Sequence, residues 1–298
     1  MTGRYDKEPT IVIPGFENEA WRGYAAIAER IRAGVAGRAK AVVVVECYPG
    51  VRLEEIKAGL AGPLGAAAVF DAEEAALDRD ALNALMARYL TDDRVFGRIA
   101  PFEIEDFYDA GRIEALRARI RAVPEGIVLV VGFGASIVER GDYVVYADLA
   151  RWEIQLRYRS GEIGNWRADN RDEDVLRKYK RGFFVEWRTA DRLKRRLVEE
   201  GRIDLYLDTN AKDDPKAVTM RALLAGLRHA AYRPFRLVPY FDPGVWGGQW
   251  MQEKIGLPPQ KHPYAWAFDG VPEENSLYFR YGGIRIELPS INLVFFEP

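Results

Sequence analysis

The sequence predicts an α/β fold in which a mainly parallel sheet lies between two layers of helices, followed by a small β-rich segment. Strand-like and helix-like segments alternate as far as residue 232, which is typical of βαβ units. Beyond residue 232, turn residues and short alternating runs replace that pattern, as expected of short antiparallel strands. We therefore predict two units, residues 1–232 and residues 233–298.

The predicted core of the first unit is a strand that helices cover on both sides. Residues 41–46 read Ala-Val-Val-Val-Val-Glu, so the run is β-branched and apolar on both faces. Residues 17–37 carry apolar side chains at helical spacing and predict a helix. The remaining strands are predicted over residues 66–70, 127–131, 143–147 and 203–207. The remaining helices are predicted over residues 52–60, 73–90, 112–122, 149–200 with a break at 161–170, and 217–230.

Composition narrows the classes of function. Lys and Arg number 43 and Asp and Glu number 45, so binding to nucleic acid through net charge is not expected. Cys47 is the one cysteine, which excludes an internal disulfide and favours a cytoplasmic location. The longest apolar run, residues 41–45, is far shorter than the roughly 20 residues that span a bilayer. Because the chain has only 2 histidines, we expect no transition-metal site formed by its residues alone.

The loop after the central strand occupies the place of a phosphate-binding loop. Such a loop wraps phosphates with the backbone N–H groups of small residues, and it supplies a lysine and a magnesium-binding hydroxyl. Here Glu46 and Val51 stand where glycines are required, Arg52 replaces the lysine, and Leu53 replaces the hydroxyl residue. Glu46 would also bring a negative charge close to the phosphates. A plain strand-to-helix turn at Tyr48-Pro49-Gly50 is the alternative, and ATP with Mg²⁺ is not an expected cofactor.

Several segments resemble the uridine kinase and phosphoribulokinase group of P-loop kinases. Residues 105–108, Glu-Asp-Phe-Tyr, resemble a segment whose first acid is the base toward a sugar hydroxyl. This resemblance implies a catalytic role for Glu105 and ligand binding by Tyr108. Residues 127–135 resemble the strand and turn that follow in those kinases, and residues 148–181 resemble their arginine-rich lid helix. The resemblance implies a sheet of the P-loop nucleoside-kinase type.

Longer stretches resemble the N-terminal region of bacterial class I mannose-6-phosphate isomerase-like proteins. These stretches are residues 132–136, 146–155, 178–188, 207–210 and 233–250. In that family a kinase-like region precedes a zinc-dependent cupin that interconverts mannose 6-phosphate and fructose 6-phosphate, and residues 243–248 resemble the start of the isomerase portion. The family's Gln-x-His zinc ligands have no counterpart at the expected place, because the nearest match, Gln260-Lys261-His262, lies upstream of it. The resemblance therefore implies zinc in the full-length family, with a metal-binding barrel beyond Pro298.

Candidate ligand-binding side chains follow from residue type. Four arginines could grip a phosphate through charge-assisted, bidentate contacts, namely Arg52, Arg151, Arg157 and Arg159. A salt-bridged helix face with Glu153 and Glu162 is the alternative for the last three. Asp208 ends a predicted strand at its carboxyl edge, where ligands bind in open sheets, with helix capping as the alternative. Trp246 belongs to an aromatic cluster that could stack on a sugar ring, with packing of the β-rich unit as the alternative.

The sequence leaves three hypotheses for function. The first is a mannose-6-phosphate isomerase-like protein of carbohydrate metabolism. By itself, this chain is expected to lack isomerase activity. The second is a phosphotransferase or nucleotide-binding module in which Arg52 replaces the lysine and Glu105 is the base. The third is a non-catalytic sensing or scaffolding domain that binds a sugar phosphate or a partner. A small phosphorylated molecule is the expected ligand, no nucleic acid or membrane is expected as a partner, and a homo-oligomer is compatible with all three.

Overall fold

The computed structural model describes residues 10–232 and 276–295. Its strands are β1 (Thr10–Val12), β2 (Ala20–Arg22), β3 (Lys40–Cys47), β4 (Ala66–Asp71), β5 (Gly126–Gly132), β6 (Tyr143–Asp148), β7 (Leu205–Asp208), β8 (Lys216–Thr219), β9 (Ser276–Tyr281) and β10 (Ile284–Pro289). Its α-helices are α1 (Tyr24–Gly34), α2 (Leu53–Leu64), α3 (Arg79–Leu90), α4 (Ala110–Ala122), α5 (Ala135–Val138), α6 (Arg151–Arg159), α7 (Val175–Arg181), α8 (Trp187–Glu199), α9 (Met220–Ala231) and α10 (Asn292–Phe295). Within these two ranges, no helix is both long and apolar enough to cross a membrane.

A seven-stranded sheet forms the centre of the molecule, in the order β2-β8-β7-β6-β3-β5-β4. β3 pairs in parallel with β5 on one side and with β6 on the other, and β4 and β7 extend the parallel set. β8 and β2 are added at one edge in antiparallel pairings. The prediction of an α/β fold with a mainly parallel central sheet is therefore confirmed.

Helices cover both faces of the sheet because the central strands are apolar on both faces. On one face, Val43 and Val45 pack with buried residues of α1 and α2, such as Ile31 and Leu60. On the other face, Val44 belongs to a larger cluster that includes buried residues of α3, α4, α6, α8 and α9. The alternation of side chains along β3 thus divides the core between two helical layers.

Three short strands, β1, β2 and β8, lie outside the set predicted from the sequence. Residues 217–219 are predicted as the start of a helix, but they belong to β8, which pairs with β7, and α9 begins only at Met220. The Thr219 side chain accepts the backbone N–H of Ala222 and caps that helix. The predicted helix over 17–37 is also shorter, because β2 pairs with β8 and α1 begins at Tyr24. Whether such a short segment forms a strand depends on its partner strand, and local propensity alone does not reveal that partner.

Two long predicted helices are interrupted. A 3₁₀ turn over Ala72–Ala75 precedes α3, so the predicted helix over 73–90 begins only at Arg79. The helical stretch predicted over 149–200 divides into α6, α7 and α8, with a π-helical turn over Gly182–Glu186 between the last two. The predicted break at 161–170 falls in the loop between α6 and α7. We call residues 160–174 the α6–α7 loop.

A three-stranded sheet, β1-β9-β10, joins the two ends of the described chain. A Cβ on Gly226 of α9 would lie 2.7 Å from the Phe279 ring, so this sheet packs directly on the helix backbone. The Tyr281 hydroxyl donates a hydrogen bond of 2.9 Å to the carbonyl of Ala222. The predicted small β segment near the C-terminal end is therefore confirmed. Residues 233–275 lie outside the described residues, and the domain boundary near residue 232 stays a prediction.

Candidate functional site

A candidate site lies at the carboxyl edge of the parallel strands. The chain leaves β3 toward α2 on one face of the sheet and leaves β6 toward α6 on the other face. Such a switch between neighbouring strands opens a crevice in which ligands of open α/β sheets bind. A cavity of about 570 Å³ lies here, and we call it the edge cavity. Its wall includes Cys47 to Val51, Leu53, Glu73, Arg79, Phe133, Ile163 to Arg167, Asp169 and Arg171.

The loop after β3 is a tight turn. The backbone N–H of Tyr48 donates to Ala147 at 2.9 Å, and that of Val51 donates to Tyr48 at 3.1 Å. The Gly50 carbonyl accepts a hydrogen bond of 2.7 Å from the Arg157 guanidinium. Because two of its N–H groups bond within the protein, this loop does not form a cradle of free amides for phosphate. The observed bonds agree with the alternative of a strand-to-helix turn.

The Glu46 carboxylate does not face the edge cavity. It accepts the backbone N–H groups of Gly134 and Ser136, at 2.6 and 2.8 Å, in the turn after β5. Burial raises the pKa of Glu46 to about 7, while its hydrogen bonds with Ser136 and Gly134 act in the opposite direction. The expectation that Glu46 brings a negative charge to the phosphate position is therefore wrong, because the side chain is used to hold the neighbouring loop.

Replacing Gly50 with alanine is expected to destabilise the protein by about 1–3 kcal/mol. Gly50 has a φ of 108°, and a Cβ there would lie 2.9 Å from Ile154. Urea unfolding of the variant measures the effect. Gly62→Ala is the matched control, because Gly62 lies in α2 with nothing within 4 Å of its missing Cβ. We expect this control to be neutral or stabilising by up to about 1 kcal/mol. A Gly50→Ala variant as stable as the wild type would contradict the turn.

Three arginines bring positive charge to the edge cavity: Arg79 at the start of α3, and Arg167 and Arg171 in the α6–α7 loop. Arg79 lies 3.8 Å from Asp169, and Arg167 donates to the carbonyl of Glu73 at 3.0 Å. In the part of the chain that the structure describes, the Arg171 guanidinium has no ion-pair partner within 4 Å, whereas its carbonyl accepts a bond from Lys178. None of the three is among the candidate ligand-binding residues predicted from the sequence, although Arg167 and Arg171 fall in the stretch 148–181 that resembles an arginine-rich lid helix.

The α6–α7 loop is firmly anchored although its backbone is strained. Arg167 and Asp169 both have a φ of 51°, in the left-handed region that non-glycine residues seldom adopt. The buried Asn165 side chain donates to Glu186 at 3.1 Å and to the carbonyl of Lys178 at 2.9 Å. Strained residues held by well-satisfied neighbours cluster at ligand-binding sites. The strain therefore adds to the case that this loop contacts a ligand.

Glu73 supplies a carboxyl group to the same cavity. Its Oε1 accepts the backbone N–H of Phe133 at 3.3 Å. Burial raises the pKa of Glu73 to about 7, and the nearby Asp71 adds to the shift, while Trp166 and Arg167 act in the opposite direction. A desolvated carboxyl with a perturbed pKa in a cleft is a common property of functional sites. Glu73 can therefore change between neutral and charged forms near neutral pH.

Two of the predicted phosphate-binding arginines are buried and bonded within the protein. Arg151, 1% exposed, forms an ion pair with Asp191 and lies 5.2 Å from the centre of the Trp187 ring. Arg157, also 1% exposed, donates to Glu153 at 2.8 Å and to the Thr209 carbonyl at 2.9 Å. Burial lowers the pKa of Arg157. Neither side chain lines the edge cavity, because both lie in the protein interior beneath the loop after β3.

The other predicted site residues are spread over the molecule. Arg52 pairs with Glu162 at 2.5 Å, and Arg159 lies over the Trp152 ring at 5.0 Å from its centre. The Glu105 carboxylate is bound by Arg196 at 2.8 Å and lines a separate cavity of about 500 Å³.

Tyr108, Asp208 and Trp246 complete the predicted set. The buried Tyr108 hydroxyl donates to the Phe133 carbonyl. Asp208, 1% exposed, accepts the backbone N–H of Glu287 at 2.8 Å and that of Asn210 at 3.0 Å, and burial raises the pKa of its carboxyl group. Trp246 lies outside the described residues. In residues 10–232 and 276–295, no three His, Cys, Asp or Glu side chains are grouped so that they could hold a metal ion.

Comparisons with known proteins place the chain in a family. No curated protein matches it in sequence. One similar solved structure, from Silicibacter sp. TM1040, is of a protein provisionally assigned as a fructose transport system kinase; it is 13% identical with a TM-score of 0.39, over 57% of this chain and 93% of its own. Neither comparison supports the isomerase hypothesis. Residues 23–232 match the family described as a domain of unknown function, DUF8485. Because this match covers well over half of the 298 residues, the chain belongs to the DUF8485 family.

Proposed function

We propose that the chain is a kinase-like α/β module that binds a phosphorylated small molecule, a sugar phosphate or a nucleotide, in the edge cavity. The observation that carries the proposal is the presence of Arg79, Arg167 and Arg171 in the wall of a cavity at the carboxyl edge of the parallel strands. Arginine is the side chain best suited to phosphate, because its planar guanidinium donates two hydrogen bonds at once. The volume of about 570 Å³ is within the usual range for small-molecule sites.

In this proposal side chains, rather than backbone amides, hold the phosphate. The loop after β3 uses the N–H groups of Tyr48 and Val51 within the protein, and Arg52 is held by Glu162. The cations therefore come from other parts of the wall, at the start of α3 and in the α6–α7 loop. Binding without a phosphate-wrapping loop fits a sensing or scaffolding role.

Phosphotransfer is a second candidate function, and one observation favours it. The Glu73 carboxyl lies in the same cavity as the arginines, where it could accept a proton from a ligand hydroxyl, whereas Glu105 lies elsewhere. Calorimetry with ATP or GTP and Mg²⁺ tests this candidate. Micromolar binding, together with ATP hydrolysis that Glu73→Gln abolishes, would favour it over binding alone.

The isomerase hypothesis stays a prediction that rests on the sequence resemblance. It implies that zinc ligands outside this chain are required, so the chain alone should not interconvert mannose 6-phosphate and fructose 6-phosphate. A coupled assay with mannose 6-phosphate and added zinc tests this point. Turnover by these 298 residues would show that the required ligands are present in them.

The removal of two cavity arginines is expected to weaken phosphate binding strongly. Calorimetry and thermal shift with mannose 6-phosphate, fructose 6-phosphate and UMP should identify at least one ligand of the wild type. For that ligand, the double variant Arg167→Ala/Arg171→Ala should bind about a hundredfold more weakly, because charge-assisted hydrogen bonds contribute about 1.5–3 kcal/mol each.

A matched control distinguishes the loss of specific contacts in the edge cavity from a general loss of positive charge. The double variant Arg121→Ala/Arg195→Ala removes two arginines whose side chains are 62% and 61% exposed and lie outside the edge cavity. It should bind the ligand as the wild type does. The proposal is wrong if no phosphorylated ligand binds the wild type, or if both double variants bind it equally well.

A further inference from the structure

A second cavity of about 840 Å³ adjoins the edge cavity beside the first turns of α2. We call it the α2 cavity, and its wall includes Tyr24, Leu53, Ala58, Gly59, Ile163 and Lys212. The two cavities have Val51, Leu53, Ile163 and Arg171 in common. They are therefore neighbouring parts of one groove rather than separate sites.

The α2 cavity differs in chemistry from the edge cavity. Four of its polar side chains are bonded in pairs: the Tyr24 hydroxyl donates to Glu55 at 2.8 Å, and Arg52 pairs with Glu162 at 2.5 Å. Glu54, Lys212 and Asp213 are further charged residues of the wall. A Cβ on Gly59 would lie 2.5 Å from the Tyr24 ring, so the ring rests directly on the helix backbone. The surface that remains for a ligand is formed mainly by aromatic and aliphatic side chains. Such a surface suits a planar or apolar group.

The edge cavity is more polar than the α2 cavity, although Phe133 and Trp166 also belong to its wall. Glu73 and Asp169 offer hydrogen-bond acceptors, and Arg79 and Arg167 offer donors. A hydroxyl-rich group such as a sugar can bond to both kinds of side chain. Each half of the groove therefore suits a different chemical group.

Arg171 stands where the two cavities meet. It is part of both walls, and in the described part of the chain its guanidinium has no ion-pair partner within 4 Å. A phosphate bound to this guanidinium would have space for a substituent on each side. A phosphate monoester would fill only one of the two cavities.

We propose that the ligand is a two-armed phosphodiester or diphosphate, with a hydroxyl-bearing arm in the edge cavity, a planar or apolar arm in the α2 cavity, and its phosphate at Arg171. This inference rests on the proposed function and narrows its ligand class. Linking two arms makes the second contact intramolecular, so the whole ligand binds more tightly than either half.

The test compares two-armed probes with their halves by calorimetry. UDP-glucose and ADP-ribose are the two-armed probes. Their halves are UMP and glucose 1-phosphate for the first, and AMP and ribose 5-phosphate for the second. We expect at least one two-armed probe to bind about tenfold or more tightly than either of its halves. Arg171→Ala should weaken the binding of that probe and of its halves alike.

A variant that fills the α2 cavity separates the two arms. Ala58 is an exposed residue of α2 in the wall of this cavity alone, so Ala58→Trp should remove the advantage of the two-armed probe and leave glucose 1-phosphate binding unchanged. Ala118→Trp, at an exposed position of α4 outside both cavities, is the matched control and should change neither.

The possible failures are distinguishable. If halves bind and depend on Arg171, but neither two-armed probe binds more tightly, the two-armed ligand is wrong and the proposed function stands. The two-armed ligand is also wrong, and the proposed function stands, if Ala58→Trp weakens the binding of glucose 1-phosphate as much as that of the two-armed probe. If neither the probes, their halves nor the sugar phosphates bind, both the inference and the proposed function are overturned.

Discussion

Lys194→Met is expected to lower the free energy of unfolding by about 3–5 kcal/mol. The Lys194 ammonium lies 2.7 Å from Asp148, and the two side chains are 2% and 0% exposed. The Asp148 carboxylate also accepts the Tyr206 hydroxyl at 3.0 Å and the Leu149 N–H at 3.0 Å. Without Lys194, these hydrogen bonds would remain, but a buried negative charge at the end of β6 would lose its counter-charge.

Urea unfolding of a double-mutant cycle measures this effect. Asp148→Asn with Lys194→Met replaces both charges, so the double variant should lose less stability than the sum of the two single variants. Lys212→Met is the matched control at an exposed lysine, and it should stay within about 0.5 kcal/mol of the wild type. A loss below about 1 kcal/mol for Lys194→Met would show that the pair is not a buried, dry contact.

Lys194 also contacts the C-terminal helix α10 and the turn after β3. Asn292 in α10 accepts a hydrogen bond of 3.1 Å from Lys194, and the Lys194 ammonium lies 4.7 Å from the centre of the Tyr48 ring. A chain of contacts thus leads from the C-terminal end of the described chain to the turn after β3. Loss of Lys194 is therefore also expected to loosen the wall of the edge cavity.

The parallel core could be predicted from the sequence because each of its strands is a continuous apolar run. Residues 41–45 and 127–131 are examples, and burial on both faces leaves such runs without polar alternation. Short strands such as β2 could not be predicted. Their three or four residues are selected by a partner across the sheet, so the deciding interaction lies far away in the sequence.

The site was harder to predict than the fold. Residue type suggested that Arg151 and Arg157 bind phosphate, but both face the protein interior and meet carboxylates or carbonyls. Charged residues seldom occupy buried positions. Helical periodicity therefore gave no reason to place these two arginines inside the protein and Arg159 on its surface. Arg167 could not be found either, since its position depends on a left-handed backbone that no local pattern in the sequence announces. The signals available for that loop were the predicted break at residues 161–170 and the resemblance of residues 148–181 to an arginine-rich lid helix.

Sulfate binding to the edge cavity is expected to weaken about tenfold between pH 6 and pH 8.5 as Glu73 loses its proton. Sulfate keeps its charge over this range, so a change in its affinity reports on the protein. Burial and Asp71 raise the pKa of Glu73 to about 7. Below that pH the carboxyl is neutral and tolerates an anion nearby, whereas above it the carboxylate repels the anion.

Two variants and a second readout make the assignment to Glu73 specific. Glu73→Gln should keep the low-pH affinity for sulfate at every pH, whereas Glu74→Gln, at an exposed neighbour, should keep the wild-type dependence. The raised pKa also means that Glu73 contributes most to stability below its ordinary pKa of 4.5, a contribution that is lost as the pH rises through about 7. At pH 8 the free energy of unfolding of Glu73→Gln should therefore exceed that of the wild type by about 1–3 kcal/mol, as measured by urea unfolding. Equal pH dependence in the Glu73→Gln and wild-type proteins would show that another group controls anion binding.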